Sequence, residues 1–535
     1  MGENFPKGGV PGRGGARPLP HRSRGRGHHP EVPPNPEVFW PPPAREPSLD
    51  SSESEPEPEG AELDPEEAEL ELEGAEPEEE DEEEEEEGGG GAPEVTEAGA
   101  PPPAGPALQE LRAELGGGGA GAEPERSLPR MIREREWGRS FSRGGEDQAE
   151  LPVRNCFLPN HAAALEPHPQ KVFCALFSQC GRRLLTACQD HTLRLFEVSG
   201  EGLRLLRATR GRHVGWSVLD VALSPDGNQA LYCSWSSYVH AFDLHGEGDA
   251  HTALDFRPED RRFAVFSLAV GPDGRDVMGG ANDGCVYVYD RQAQRRVERV
   301  PAHEDDVNAV ALADASGQLL LSGGDDAVGR AWDRRCLPEG PALTLAGHRD
   351  GLTFIHARGD GRYVVSNSKD QSAKLWDLRR PSGPAALAAA RRAVARQSWD
   401  YRWQRAPRTA RRATPLPGDA SLVTFRGHAV LHTLLRCRLA PPGGAPALAA
   451  GSADGSVMVY DVISGRVLRR LANHGACVRD VSWSPEGAWL ASASWDGTVR
   501  LWDYRGDADA DDVMEGAEPR RDGAGPRRKG GGAWQ

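Results

Sequence analysis

The chain has 535 residues, a formal net charge of −19 at pH 7 and 38% hydrophobic residues. Its negative charge is local: residues 50–97 contain 25 Asp or Glu and no Lys or Arg, which leaves +6 for the rest of the chain. No window approaches the roughly 20 apolar residues that cross a bilayer, and the first 45 residues lack the apolar core of a signal peptide. We therefore expect a soluble protein that is neither secreted nor inserted in a membrane.

The first 127 residues are predicted to be a disordered tail rich in acidic residues, Pro and Gly. With so few apolar groups, this segment cannot offset roughly 1 to 2 kcal/mol of backbone conformational entropy per residue. Within it, PALQELRAEL at 106–115 places Leu108, Leu111 and Leu115 at helical spacing. This short helix is either a docking element or a transient helix in the tail. Residues 128–165 are expected to lead into the folded domain.

A repeated pattern fills residues 166–505. An aromatic residue followed by an acid recurs in steps of 42 to 47 residues, with one step of 84, and an Asp usually stands six residues before it. The seven pairs are Phe196-Glu197, Phe242-Asp243, Tyr289-Asp290, Trp332-Asp333, Trp376-Asp377, Tyr460-Asp461 and Trp502-Asp503. Short apolar stretches separated by Pro-Asp-Gly and Asp-Gly turns predict four strands per unit. The sequence therefore predicts an all-β fold, a seven-bladed β-propeller, followed by a disordered tail at 506–535.

The step of 84 residues contains an insertion rather than an eighth blade. His428 to Tyr460 is already a full unit, so residues 381–420 are expected to lie between the third and fourth strands of blade five. The insertion holds an aromatic cluster among arginines, made of Trp399, Asp400, Tyr401, Arg402 and Trp403. Such clusters suggest RNA stacking, but packing of the insertion against the propeller is favoured. A wider partner contact beside Arg379 is a further option.

The units resemble WD repeats, in which His, Ser or Thr, Asp and Trp form a hydrogen-bonded chain inside each blade. Three units hold all four residue types, with Ser four residues before Asp and Asp six before Trp. These sets are His303, Ser322, Asp326 and Trp332; His348, Ser366, Asp370 and Trp376; and His474, Ser492, Asp496 and Trp502. His168, Thr186 and Asp190 form a fourth set that ends on Phe196. The resemblance implies a WD-repeat propeller whose buried polar groups are satisfied within each blade.

Ser, His and Asp are also the residue types of a hydrolase triad. A hydrolase needs one such set in a cleft, whereas this chain repeats the set at fixed spacing, so a structural role is favoured and no catalytic residue is assigned. The nine cysteines form no CxxC pair and have no His at zinc spacing. We expect reduced thiols, no metal site and no cofactor.

Arg335, Arg379 and Arg505 each complete the pattern Trp-Asp-x-Arg at the end of a predicted third strand. Blade packing does not require an arginine there, because the other four units do without one. A solvated charge at a strand end is one interpretation. The other is that the guanidinium groups, two of them in adjacent blades, lie on one rim and bind carboxylates or carbonyls of a partner.

The pattern resembles the docking box of WD-repeat substrate receptors of cullin-four RING ubiquitin ligases. Longer stretches carry the same resemblance, among them SLPRMIRERE, RHVGWSVLDVALSPDGNQALYCSWSSYVH, HTALDFRPEDRRFAVFSLAV and SWDYRWQ. The resemblance implies that the box binds the damaged-DNA-binding adaptor protein one and, through it, cullin-four with its RING subunit. The implied adaptor-binding residues are Trp332, Asp333, Arg335, Trp376, Asp377, Arg379 and Arg505.

The same resemblance implies a non-catalytic receptor that presents protein substrates for ubiquitination and proteasomal degradation. Nucleus and cytoplasm are the implied locations, with no membrane and no direct nucleic-acid contact. Many such receptors insert an amphipathic helix into the adaptor, and segment 106–115 is the candidate here.

Positions just before the turn Asp project to the opposite face, where propellers usually take ligands. The candidate substrate-binding residues there are Trp235, Asn282, Asp325, Lys369 and Trp495. Aromatic and charged side chains suit a peptide, since they supply much of the binding energy at interfaces. A structural role for each of them is equally compatible with the sequence.

A rival hypothesis is a scaffold or histone-binding propeller whose acidic run, Glu78 to Glu87 including Asp81, binds basic partners. Deletion of residues 50–97 discriminates the two, because adaptor binding persists only if the ligase interpretation holds. A propeller hydrolase is a remote third possibility.

Overall fold

In a computed structural model of the chain, the structure describes residues 108, 110–111, 157–200, 202–246, 248–257, 263–407, 410, 414–442 and 445–506. Most of the predicted tails at 1–127 and 506–535, the acidic run and most of the lead-in at 128–165 lie outside these residues. Within the described residues, 28 strands form seven four-stranded antiparallel sheets. This is the predicted seven-bladed β-propeller.

Six blades are built from four consecutive strands, and the seventh combines the last three strands of the chain with the first; the strands of each blade are given from the central channel outward. Blades one to four are formed by β2 (Val172–Phe177), β3 (Arg183–Cys188), β4 (Thr192–Ser199), β5 (Gly202–Arg210); β6 (Val218–Leu223), β7 (Gln229–Ser234), β8 (Tyr238–Asp243), β9 (His251–Asp255); β10 (Val265–Val270), β11 (Asp276–Ala281), β12 (Cys285–Asp290), β13 (Arg295–Pro301); and β14 (Val307–Leu312), β15 (Leu319–Gly324), β16 (Val328–Asp333), β17 (Leu343–Ala346). Blades five to seven are formed by β18 (Leu352–Ala357), β19 (Tyr363–Ser368), β20 (Ser372–Asp377), β21 (Val423–Arg426); β22 (Cys437–Leu439), β23 (Ala447–Gly451), β24 (Ser456–Asp461), β25 (Val467–Ala472); and β26 (Val478–Trp483), β27 (Leu490–Ser494), β28 (Thr498–Asp503), β1 (His161–Pro167).

The burial of the strands follows from the stacking of the blades. The second and third strands of blade five, β19 and β20, are buried at every position because blades four and six cover both sides of their sheet. The outermost strand β13 alternates instead, with every second residue from Arg295 to Pro301 exposed. Between second and third strands the chain reverses at an Asp-Gly turn such as Gly497, whose φ of +78° suits glycine.

The ring is closed by a strand from outside the predicted propeller range. β1 pairs with β28, with His161 opposite Asp503 and Thr498 opposite Pro167, so blade seven combines both ends of the folded domain. Residues 161–165, which we had assigned to the lead-in, are therefore part of the propeller. Closure removes the exposed sheet edge that β28 would otherwise present.

The insertion in blade five runs from one face of the propeller to the other. After β20 it follows the outer strand of blade four, where Ser382 Oγ accepts a hydrogen bond of 2.9 Å from the Ala346 amide. Helix α1 (Pro384–Ala395) then packs Ala386, Ala389 and Ala390 against Ala346. The insertion thereby covers the edge of β17 and ends beside the loops of the opposite face.

Buried arginines and aspartates tie the blades together around the central channel. Arg436 on the approach to β22 lies 2.8 Å from Asp220 of blade two and 3.4 Å from Asp480 of blade seven. Asp220 Oδ2 also accepts from the Leu268 amide of blade three at 2.8 Å. Burial of these charges is tolerated because each one is paired and hydrogen-bonded.

The structure also bears on membrane insertion. Among the described residues, no helix has the length and apolar character needed to cross a bilayer.

Candidate partner-binding faces

The His-Ser-Asp-Trp sets lie inside blades four, five and seven as continuous hydrogen-bond chains. In blade five, His348 Nδ1 lies 3.0 Å from Asp370 Oδ2. A carboxylate accepts, so Nδ1 carries the proton and Nε2 accepts from Ser366 Oγ at 2.7 Å. Ser366 Oγ in turn accepts from Trp376 Nε1 at 2.8 Å. Each polar atom of the chain is thereby satisfied in the buried sheet.

Blades four and seven repeat this chain with similar lengths. His303 contacts Asp326 and Ser322 at 2.8 Å each, and His474 contacts Asp496 at 3.0 Å and Ser492 at 2.7 Å. Although burial opposes it, the partner imidazole helps to lower the pKa of Asp326 to about 2. The corresponding tryptophans, Trp332 and Trp502, donate to their serines at 2.9 and 2.8 Å.

Blade one departs from the predicted chain. His168 contacts Thr186 at 3.0 Å, but its other ring nitrogen lies 3.3 Å from the Glu166 carbonyl rather than at Asp190. Asp190 is held by Arg194, whose Nη2 lies 2.5 Å away. The arginine on the third strand takes the carboxylate, so this set lacks its His-Asp bond.

The degenerate blades use tyrosine hydroxyls in place of the missing groups. Tyr460 Oη in blade six contacts His428 Nδ1 at 2.9 Å, and Tyr287 Oη in blade three donates to Asp283 at 2.5 Å. In blade two, Tyr232 Oη lies 2.8 Å from His251 Nδ1. Tyrosine at these strand positions was the signal that sequence analysis overlooked.

We define the lower face as the one formed by turns from first to second and from third to fourth strands. The Trp-Asp-x-Arg box of blade four ends there. Asp333 Oδ1 accepts from the amide and Nε of Arg335 at 3.0 and 2.9 Å, and Oδ2 accepts from Nη2 at 2.5 Å. The arginine lowers the pKa of Asp333 to about 2. One edge of the guanidinium is thus fixed by Asp333, while the side chain remains 74% exposed.

The box of blade five has the same turn and an additional partner. Asp377 accepts from the amide, Nε and Nη2 of Arg379 at 3.0, 3.3 and 3.2 Å. Arg379 Nη2 also lies 2.9 Å from Glu110, which pairs with Arg362 at 3.0 Å. Leu111 beside it is buried among residues of blades five and six, including Tyr363 and Leu439. The described part of the predicted 106–115 helix therefore sits on the lower face and contacts a box arginine; Leu115 lies outside the described residues.

The box of blade seven has a different geometry. Asp503 Oδ1 lies 2.9 Å from His161 Nδ1, and Arg505 Nε is 4.0 Å from Oδ2. The Arg505 amide donates to Asn160 Oδ1 at 2.8 Å. Because β1 supplies His161 and Asn160 to this turn, Asp503 does not clamp Arg505 as the other two boxes do.

Three residues of the predicted adaptor-binding set are buried. Trp332 and Trp376 are 2% and 1% exposed, and the Asp377 side chain is 1% exposed. These residues position the arginines and do not face a partner. Arg335, Arg379 and Arg505 reach the surface, and the Asp333 side chain is 25% exposed.

The insertion repeats the box turn on the opposite, upper face. Arg402 Nε lies 3.0 Å from both oxygens of Asp400, and its amide donates to Oδ1 at 2.9 Å. The intervening Tyr401 is buried, and its carbonyl accepts from the His432 amide at 3.0 Å. Tyr401 and the partly buried Trp399 therefore pin the insertion to the propeller, as expected, whereas Trp403 is exposed. The cluster lies on the face opposite Arg379 and does not extend that box.

Tyr401 covers two of the predicted substrate-binding residues. Lys369 Nζ lies 2.7 Å from Asp325 Oδ2 and 4.7 Å from the centre of the Tyr401 ring. Although burial opposes it, the Asp325 carboxylate raises the pKa of Lys369. Burial, with Asp325 nearby, raises the pKa of Asp306 to about 7. Lys369 and Asp325 therefore form a charged cluster on the upper face that the Tyr401 ring covers.

The remaining candidates on the upper face occupy the equivalent turns of blades two, three and seven. Trp495 is partly buried against the cluster that contains Tyr401 and Cys477, and Lys171 Nζ lies 4.3 Å from the centre of the Trp495 ring. Asn282 Oδ1 accepts from the Ala264 amide at 2.9 Å, which is a structural role. Trp235 lines an open groove of about 660 Å³ at blade two with His213, Val214, Gly215, Ser236, Ser237, Tyr238 and Phe263.

Comparison with known proteins identifies the family. The WD domain, G-beta repeat family matches residues 160–197, 294–333, 340–377 and 465–503. A LEC14B protein from Lithospermum erythrorhizon is 38% identical over 366 residues, covering 66% of this chain and 76% of that protein. A LEC14B homolog from Prunus armeniaca is 37% identical over 370 residues, covering 66% and 77%. A DDB1- and CUL4-associated factor 11 homolog from Caenorhabditis elegans is 36% identical over 368 residues, covering 66% and 64%.

The chain belongs to this WD-repeat family of LEC14B proteins and DDB1- and CUL4-associated factor 11 homologs. The four matched segments contain the three inner strands of blades one, four, five and seven, each preceded by an outer strand, and these are the blades with a His, Ser or Thr, and Asp set. The inner strands of blades two, three and six, where tyrosine replaces part of the set, fall outside the match. The shared chemistry of a blade and its sequence match thus coincide.

The serines of the three complete sets have no access to a substrate. Ser322, Ser366 and Ser492 are at most 1% exposed, and each hydroxyl is already bonded to an indole and an imidazole. Within the described part of the chain, no three His, Cys, Asp or Glu side chains are arranged to hold a metal ion.

Proposed function

We propose that this protein is the substrate-recognition subunit of a cullin-four RING ubiquitin ligase, binding the DDB1 adaptor through its lower face. The observation that carries the proposal is a pair of arginines in adjacent blades, Arg335 and Arg379. Each is held by the aspartate of its own box, and each side chain is at least half exposed. The names of its relatives, which include DDB1- and CUL4-associated factor 11 homologs, point to the same partners.

The geometry of the two boxes suits recognition of another protein. A guanidinium has five N–H donors in a fixed plane. In each box the Asp holds the Nε and Nη2 edge, which leaves the other edge available to carbonyls or carboxylates of the adaptor. Because the side chain is already held in one orientation, less conformational entropy is lost when the adaptor binds.

We further propose that protein substrates bind the upper face. The groove at Trp235 supports this, as does Trp403 of the insertion, which is 60% exposed beside Arg402. A substrate bound there would be held near the ubiquitin-loaded conjugating enzyme. The receptor would then raise the effective concentration of the substrate at that enzyme and take no part in the chemistry. Nuclear and cytoplasmic substrates are within this proposal.

The test is DDB1 binding by the Arg335→Asp, Arg379→Asp double variant. Charge reversal removes two charge-assisted contacts, so affinity should fall at least about 100-fold. The matched control is Arg402→Asp, which changes the same Asp-x-Arg turn on the upper face and should leave affinity within about twofold. Circular dichroism verifies folding. Unchanged DDB1 affinity in the folded double variant would refute the assignment.

A further inference from the structure

The basic residues of this chain are almost all arginine. Of its 63 Lys and Arg residues, only Lys7, Lys171, Lys369, Lys374 and Lys529 are lysine. Three of the five lie in the described propeller, and the other two lie outside the described residues. A propeller with so few lysines has few primary amines, and the structure decides which of them a reagent can reach.

Lys374 on β20 is fully engaged. Its Nζ donates to Asp419 Oδ2 at 2.6 Å, to Thr424 Oγ1 at 2.9 Å and to Ser421 Oγ at 3.2 Å. An ammonium group has three N–H donors, so all of them are used. The side chain is 3% exposed.

Lys369 is closed off by the insertion. Its ammonium is paired with Asp325 at 2.7 Å under the ring of Tyr401, and its side chain is 11% exposed. The paired carboxylate favours the charged form, which has no lone pair. Both propeller lysines in blade five are therefore paired with a carboxylate and covered.

Lys171 is the remaining propeller amine among the described residues. It is partly exposed on the upper face, with Nζ 4.3 Å from the centre of the Trp495 ring. The contact with the ring leaves the side chain partly open to solvent, so a reagent can reach this amine.

Ubiquitin transfer requires an accessible, neutral amine. The lone pair of lysine Nζ attacks the carbonyl carbon of the ubiquitin thioester, a C–N bond forms, and the C–S bond to the conjugating enzyme breaks. The proton released by the amine ends on the departing thiolate. Arginine remains protonated and offers no such lone pair.

We infer that the propeller is built to be a poor acceptor of ubiquitin, so that self-modification by the assembled ligase is confined to Lys171 and to Lys7 and Lys529. This inference rests on the proposed function. Arginine provides nearly all of the positive charge of the propeller. The two lysines of blade five are buried, Lys369 by Asp325 and Tyr401 and Lys374 by Asp419. A receptor held beside a ubiquitin-loaded conjugating enzyme thereby avoids modification of its folded domain.

The experiment reconstitutes the ligase from the full chain, DDB1, CUL4 with its RING subunit, activating and conjugating enzymes, ubiquitin and ATP. Ubiquitin remnants on the receptor are mapped by mass spectrometry. We expect remnants at Lys7, Lys171 and Lys529, with Lys369 and Lys374 each below about a tenth of the most modified site. Comparable modification at Lys369 or Lys374 would overturn the inference.

Two substitutions on β5 provide the matched pair. The Arg204 side chain is 71% exposed, whereas the Arg207 side chain is 18% exposed and bonded to backbone carbonyls of the neighbouring blade. Arg204→Lys should create a new acceptor modified at least about tenfold more than the lysine introduced by Arg207→Lys. Equal, negligible modification of both would show that ligase geometry, rather than a lack of amines, protects the propeller.

An arm without the ligase separates this inference from the proposed function. Acetylation of the full chain with N-hydroxysuccinimide acetate should label Lys171 at least about tenfold faster than Lys369 or Lys374, and fast labelling of either would refute the sealed state. DDB1 capture is measured on the same preparations. Its absence would overturn the proposed function while leaving the acetylation result to decide the lysine claim.

Discussion

Replacing Ser366 by Ala tests whether the buried chain of blade five is needed by the fold. The hydroxyl accepts from Trp376 Nε1 and donates to His348 Nε2, and all three residues are about 1% exposed. The variant leaves one donor and one acceptor buried and unsatisfied, at about 1 to 3 kcal/mol each. We therefore expect the free energy of unfolding to fall by about 2 to 6 kcal/mol, measured by urea denaturation with tryptophan fluorescence.

The control is Ser452→Ala in degenerate blade six. Ser452 is equally buried, and its hydroxyl accepts from the Ala429 amide at 3.0 Å and bonds the Asp454 carboxylate, but Asp454 keeps Ser456 and Arg470 as partners, so removal of the hydroxyl leaves only the amide unsatisfied. Its loss should cost about half as much. The Ser366→Ala, Trp376→Phe double variant also removes the indole donor. Its loss of unfolding free energy should therefore be at least about 1 kcal/mol smaller than the sum of the losses in the two single variants. Equal losses of unfolding free energy in Ser366→Ala and Ser452→Ala, or strictly additive losses in the double variant, would show that the hydrogen-bond chain of blade five does not stabilise the fold as described.

Three further predictions concern the two faces. Glu110→Gln should tighten DDB1 binding up to about fivefold, because it releases Arg379 from an exposed ion pair worth about 1 kcal/mol. Biolayer interferometry measures the affinity, and the control is Glu304→Gln, which releases Arg391 from its ion pair elsewhere. Weaker DDB1 binding by Glu110→Gln would contradict the prediction. Asp306 has a folded pKa of about 7, above its unfolded value, so its stability contribution is complete below about pH 4 and is lost as pH rises through 7. Asp306→Asn should therefore raise the unfolding free energy by about 1 to 2 kcal/mol at pH 8 and by little at pH 4.5, and an equal effect at both pH values would refute this. Tyr401→Ala should accelerate tryptic cleavage after Arg402 and Arg405 at least about tenfold by detaching the insertion, whereas the exposed Trp403→Ala should not, and equal rates in the two variants would count against the cap.

Periodicity predicted the propeller because each blade repeats the same solution to the same problem. An Asp at the turn, a Ser on the second strand and a Trp on the third are local to one sheet, and their spacing survives in the sequence. The insertion was predicted for a related reason, since a displaced outer strand at Val423–Arg426 still pairs with β20. Local constraints of this kind are readable from one sequence.

The features that were missed depend on contacts distant in sequence. β1 pairs with a strand more than 300 residues away, and its sequence, HAAALEP, carries little alternation. Tyr401 reaches the upper face only because α1 follows the edge of blade four. Glu110 meets Arg379 through the fold and not through any motif. Burial of Trp332 and Trp376 shows, in addition, that a matched motif contains both contacting and supporting residues.

The central claim is that the lower face, at the two clamped arginines, binds the adaptor. Amide hydrogen exchange of the wild-type chain with and without DDB1 tests it most directly. The account predicts slower exchange on DDB1 binding in 333–336 and 377–380, with no change in 399–404 of the upper face. Slower exchange at 399–404 with 333–336 and 377–380 unaffected would contradict it.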